Sequence, residues 1–91
     1  MIKYLGSTRS LKGCFMDDGD YISHVDEIKE VLDTFEDGIQ IDWRITDKNN
    51  LYVILIPNYA KHHVDEEYLS NKAQEFIEYY NHAIESIKKQ K

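Results

Sequence analysis

Hydrophobic and polar residues alternate strictly over residues 39–46, which is the pattern of a β-strand with one buried face. The apolar positions are Ile39, Ile41, Trp43 and Ile45, and the polar positions are Gln40, Asp42, Arg44 and Thr46. Successive side chains of a strand point to opposite faces, so this period of two predicts a half-buried strand. A polar turn follows at 47–50. The apolar run 51–56, which Pro57 ends, predicts a second strand buried on both faces.

We expect these two strands to pair as an antiparallel hairpin. Its loop contains either all four residues of the polar turn or only the last two. In both registers Trp43 lies opposite an isoleucine, Ile54 or Ile56, because a shift of two residues keeps every side chain on its face.

The segment before this hairpin has the period of an amphipathic helix. Its apolar residues, at spacings of three and four, are Val25, Ile28, Val31, Leu32 and Phe35. Ser23 followed by Asp26 matches a capping box, and Gly38 favours a left-handed stop after Asp37. The sequence therefore predicts a first helix that extends from the Ser23 cap to Asp37.

Residues 65–91 predict a second, longer helix. Its apolar residues have the same spacing and are Leu69, Ala73, Phe76, Ile77, Tyr80, Ile84 and Ile87. Acidic residues at its start and lysines at its end suit the helix dipole, although a capping pattern at Asn71 and Gln74 allows a later start. A continuous helix would be roughly 40 Å long, so its end either frays or packs on a second copy.

The first sixteen residues predict another hairpin, because two short apolar segments flank turn residues at 6–8. The complete order is hairpin, helix, hairpin, helix. We therefore expect residues 1–91 to form a single α+β domain of the ββαββα type. In this fold an antiparallel sheet carries two helices on one face, and the C-terminal helix is the longer one.

Charge is distributed unevenly along the chain. The formal net charge is −6, but residues 17–47 carry eleven carboxylates against Lys29 and Arg44. This acidic segment argues against direct nucleic-acid binding, because it would repel a phosphate backbone.

Several of these carboxylates fall in one row of the first helix. The row contains Asp26, Glu30, Asp33 and Asp37, with Glu27 beside it. Like charges at such spacings destabilise a helix by about 0.2–0.5 kcal/mol per pair. The row is either a solvated face or a site that binds the basic surface of a partner protein; for the second case the candidate residues are Asp26, Glu27, Glu30, Asp33 and Asp37.

Two other groups of residues are weaker candidates. His62, His63 and Glu67 are of the types that bind zinc or iron. His63 and Glu67 would share a helix face if the helix began early, but the adjacent His62 points elsewhere and no third ligand stands at a recognised motif spacing. Tyr68, Tyr79 and Tyr80 broaden the apolar surface of the second helix, where they either line the core or contact a second copy.

From these patterns we expect a small acidic binding protein that regulates a partner by contact, as inhibitors, antitoxins and immunity proteins do. We expect no enzymatic activity, no cofactor and no membrane association.

A single cysteine, Cys14, and the lack of a long apolar N-terminal run indicate the cytoplasm. The lysine-rich, isoleucine-rich composition is typical of AT-rich bacterial or phage genomes. Two alternatives are a metal-dependent enzyme or sensor that uses His62 and His63, and a homodimer built on the C-terminal helix.

Overall fold

Four strands and two helices make up the computed structural model, which describes residues 1–19 and 24–89. In chain order they are β1 (Lys3–Ser7), β2 (Gly13–Asp17), α1 (Val25–Asp33), β3 (Gln40–Ile45), β4 (Leu51–Ile56) and α2 (Glu66–Lys89). The predicted α+β order of hairpin, helix, hairpin, helix is confirmed. The sheet is antiparallel throughout, and its strand order is β1-β2-β4-β3.

Both helices pack on the same face of the sheet. The residues of β4 that point to this face are Leu51, Val53 and Leu55, and all three are buried. They form one core with Phe15 of β2 and with the apolar stripes of α1 and α2. β4 is a central strand, but the expectation that both its faces are buried is wrong, because Tyr52, Ile54 and Ile56 on the side without helices are only half-buried.

The register of the second hairpin differs from the expectation. Ile45 pairs with Leu51 and Trp43 with Val53, so Trp43 does not lie opposite an isoleucine. The loop contains five residues, 46–50, because the Thr46 amide donates to the Asn50 carbonyl at 2.8 Å and Asn49 adopts a positive φ of 63°. This shift by one residue exchanges the two faces of β4 relative to β3.

The first helix is shorter than predicted. It ends at Asp33. The Thr34 amide still donates to the Glu30 carbonyl, and the Thr34 hydroxyl contacts the Glu30 carbonyl at 2.8 Å and the Val31 carbonyl at 3.4 Å, the latter being the acceptor that a further helical residue would need. Gly38 has the expected positive φ, 83°, but it lies in the turn before β3 and does not cap the helix. The predicted cap at Ser23 lies outside the described residues.

α2 begins at Glu66, directly after Asp65, whose carboxylate accepts the Tyr68 amide at 2.8 Å. It then continues through Asn71 without interruption, so the later start is not used. Ile84 is only 7% exposed and Ile87 packs against the core, so the chain itself supports the C-terminal part of this helix. The helix therefore needs no second copy to support it as far as Ile87. Neither described helix combines the length and the apolar composition needed to cross a membrane.

Phe76 of α2 lies at the centre of the core. Its ring centroid is 4.8 Å from that of Phe15 in the sheet, 5.2 Å from that of Phe35 after α1, and 5.9 Å from that of Tyr80. The side chain is fully buried. Phe76 thus contacts the sheet and the segment that follows the first helix, and it holds the two together.

We expect Phe76→Ala to destabilise the domain by about 3–5 kcal/mol, because it leaves a cavity where these contacts meet. Urea unfolding followed by circular dichroism measures this change. Ser70→Ala, on the exposed side of the same helix, is the matched control and should alter the free energy of unfolding by less than about 0.5 kcal/mol. Similar losses in both variants would contradict the central place of Phe76.

Candidate functional site

The acidic face of α1, defined as Asp26, Glu27, Glu30 and Asp33, points away from the core. Ile28 and Leu32 are 0% and 1% exposed, so they fix which side of the helix is buried. All four carboxylates of the acidic face are exposed. Asp37 is exposed too, but it lies in the turn beyond the helix. Its predicted place in the helical row is therefore wrong, because the helix stops four residues earlier.

No carboxylate of the acidic face forms an ion pair or a side-chain hydrogen bond with another described residue. The neighbouring Glu36 behaves differently, since its carboxylate lies 2.9 Å from the Lys72 ammonium of α2. The hydrogen bond to Glu36 is the main cause that raises the pKa of Lys72, against the opposing effect of burial. The Glu36 carboxylate is therefore compensated, whereas the carboxylates of the acidic face are not.

Asp17, which precedes α1, is also withdrawn from the surface. It is 2% exposed at the end of β2, where it accepts from the Gly19 amide and lies 3.4 Å from the N-terminal ammonium. Asp17 therefore does not extend the acidic face.

The histidine segment lies before α2. His62 and His63 are both exposed; His62 stacks on Tyr68 with a centroid distance of 5.8 Å, and His63 lies 3.7 Å from Asp65. Glu67 is exposed in the first turn of α2. Across residues 1–19 and 24–89, no group of three or more histidine, cysteine or acidic side chains is placed to hold a metal ion.

The three candidate interface tyrosines make contacts inside the chain. Tyr80 is fully buried against Phe76, so it belongs to the core, and its expected place in a dimer interface is corrected. The Tyr79 hydroxyl is 2.8 Å from the Thr34 hydroxyl and connects α2 to the end of α1. The half-buried Tyr68 lies between His62 and Lys72, whose ammonium is 5.9 Å from the ring centroid.

Sequence reasoning missed the open face, which is the side of the sheet opposite the helices. Its half-buried or buried centre consists of Cys14, Met16, Tyr52, Ile54 and Ile56, and its rim contains Lys3, Gln40, Asp42 and Arg44. The Arg44 guanidinium lies 5.5 Å from the Tyr52 ring centroid, beside a shallow hollow of about 260 Å³. A hydrogen bond with Cys14 is the largest cause that raises the pKa of Tyr52, and burial adds to it. The apolar run of β4 is the signal for this face, because a strand covered on one side only still carries apolar residues on the other.

No family model matches the chain, and no curated protein and no solved structure matches it.

We expect Tyr79→Phe to lower the free energy of unfolding by about 0.5–1.5 kcal/mol, because the hydrogen bond to Thr34 is lost. Urea unfolding of Tyr79→Phe, Thr34→Val and the double variant gives the coupling between the two hydroxyl groups. Strictly additive losses would show that this hydrogen bond does not stabilise the contact between α1 and α2.

The Cys14 thiol should react slowly in the folded protein, since it is buried on the open face close to Tyr52. We expect alkylation by a maleimide to be at least about 100-fold slower in buffer than in urea, because it requires local opening. Tyr52→Ala should accelerate the reaction in buffer. Equal rates for the two proteins would mean that Tyr52 does not protect the thiol.

Proposed function

We propose that this protein is a small cytoplasmic regulatory protein that acts by binding a basic surface of a partner protein. Inhibitors, antitoxins and immunity proteins act in this way, without catalysis and without a cofactor. One observation carries the proposal: four exposed carboxylates on α1 have no cationic partner among the described residues, while the adjacent Glu36 has one.

This arrangement destabilises part of the helix, although Lys29 lies three residues from Asp26 and four from Asp33 and offsets some of the repulsion. Asp26 and Glu30 are four residues apart, and Glu30 lies three residues from both Glu27 and Asp33, so each pair repels. The last turn of α1 contains no basic residue, and Asp33 there opposes the helix dipole. A helix of nine residues has little intrinsic stability and depends on the packing of Ile28 and Leu32. Binding to a cationic surface would relieve the repulsion, which favours a role for the charge.

The charge also suits fast association. A concentrated negative patch attracts a basic partner over about one Debye length and raises the association rate more than it lowers the dissociation rate. The same field repels nucleic acid. A partner protein with a basic surface therefore fits better than DNA or RNA.

No specific observation favours the metal-dependent alternative. Metal-assisted catalysis needs three or more ligands that converge on one point, usually within a cleft. His62 and His63 are exposed on a loop and point into different contacts, one with Tyr68 and one with Asp65. Two shallow hollows of the described surface, at the tip and on the open face of the second hairpin, lie away from them.

The decisive experiment reverses charge on the acidic face. We expect Glu30→Lys with Asp33→Lys to remove the principal partner captured from extracts of the native host, as quantified by mass spectrometry. With that partner purified, the association rate of the variant should fall at least about tenfold at low salt and depend less on salt.

Glu78→Lys with Glu85→Lys is the matched control, because it changes the net charge equally on exposed positions of α2. It should retain most of the capture. Both double variants should stay folded, and Glu30→Lys should stabilise α1 slightly, since the introduced ammonium would then face Asp26 one turn earlier. Equal capture by the wild type and the α1 variant across a salt series would refute the proposal.

A further inference from the structure

The outer edge of β3 is an unpaired strand edge. β3 pairs with β4 on one side and is the last strand of the sheet on the other. Within the described residues, no backbone or side-chain hydrogen bond reaches this edge from elsewhere. A free edge of this kind can pair with another strand.

The pairing with β4 determines which backbone groups of β3 point outward. The Thr46 amide donates to Asn50, so the backbone of Thr46 faces β4. Amide and carbonyl directions alternate along a strand, so Ile41, Trp43 and Ile45 direct their N–H and C=O groups to the free edge.

β3 is complementary to itself when a second copy runs antiparallel about Trp43. In that register Trp43 lies opposite Trp43 of the second copy, and Ile41 lies opposite Ile45. The outward N–H and C=O groups of these residues then face each other and can form a regular antiparallel ladder. Asp42 lies opposite Arg44 of the second copy, and by two-fold symmetry Arg44 lies opposite Asp42.

The neighbouring registers are disfavoured by charge. A pair of strands centred on Asp42 or on Arg44 would also keep the outward N–H and C=O groups of the two copies opposite each other. The first register places Asp42 opposite Asp42, and the second places Arg44 opposite Arg44. Like charges directly opposite each other destabilise a strand pair. Asp42 and Arg44 are both exposed, and the register about Trp43 pairs each with its opposite charge.

The other edge of the sheet is protected in the usual ways. β1 contains a register shift between Tyr4 and Gly6, and Gly6 has a φ of 117°. β1 also presents Lys3 at its edge. A bulge and a lysine both discourage edge pairing. β3 has neither proline nor lysine, and its register with β4 has no shift.

We propose that two copies of this chain pair through β3, antiparallel about Trp43, and so form one continuous sheet with four strands from each copy. Trp43 is half-buried at this edge and gains further cover from the second copy. The interface is narrow, which makes the dimer weak and dependent on concentration.

α1 contacts β3, so the two acidic faces lie on the same side of the joined sheet and repel each other. The experiment therefore uses roughly 0.15 M salt, where the Debye length is about 8 Å.

Sedimentation velocity of the full chain tests this proposal from about 1 to 500 μM, a range that covers weak association. The weight-average mass of the wild type should rise from the monomer toward the dimer. Asp42→Arg and Arg44→Asp each place like charges opposite each other twice in the dimer. Each should therefore weaken association at least about tenfold.

Two combinations separate lost charge pairing from lost folding. The charge-swapped variant, Asp42→Arg with Arg44→Asp, should dimerise within about threefold of the wild type, because opposite charges again face each other. A mixture of the two single variants should form a heterodimer at concentrations where each alone is monomeric. Lys3→Glu at the other edge, and the α2 control Glu78→Lys with Glu85→Lys, should associate as the wild type does.

A wild type that stays monomeric throughout this range would overturn the proposal. So would single variants that dimerise like the wild type, since the interface would then lie elsewhere. Failure of both the charge swap and the mixture to restore association would overturn the Asp42–Arg44 register.

Discussion

The packing of α2 across the two central strands is the interaction on which the rest of this structure depends. Phe76 lies between Phe15 of β2 and Phe35, and the apolar stripe of α2 continues on both sides of it. α1 is short and repels itself electrostatically, so it relies on this core and on the contact between Thr34 and Tyr79. The position of the acidic face is thus set by the packing of the core. The carboxylates of that face take no part in this packing.

A domain of two layers leaves one side of its sheet without helices. The open face consequently has an apolar centre and a polar rim, and the Arg44 side chain extends across Tyr52. The two edges of the same sheet differ, because β1 carries a bulge and β3 is regular. Acidic helix, open face and free edge are therefore three separate surfaces of one small domain.

Function and oligomerisation can be separated in this molecule. The proposed partner contact uses α1, and the proposed self-association uses the edge of β3. The two are coupled only through the repulsion between acidic faces on one side of the joined sheet. A basic partner that neutralised α1 would reduce this repulsion, so binding and dimerisation would then favour each other.

The sequence alone determined the order and type of the elements, because periods of two and of three to four residues report directly which side of each element is buried. It also determined the exposed acidic row through Glu30 and Asp33, since the positions of Ile28 and Leu32 fix the outward side of the helix. Only the tertiary structure decided the length of the hairpin loop, because one hydrogen bond at Thr46 selects an odd number of residues and exchanges the faces of β4. It likewise decided that Asp37 leaves the helix, that Tyr80 enters the core and that one face of the sheet stays open. The first two of these depend on single hydrogen bonds in the hairpin loop and at the helix end, and the last two on contacts between residues far apart in the chain; periodicity records neither kind.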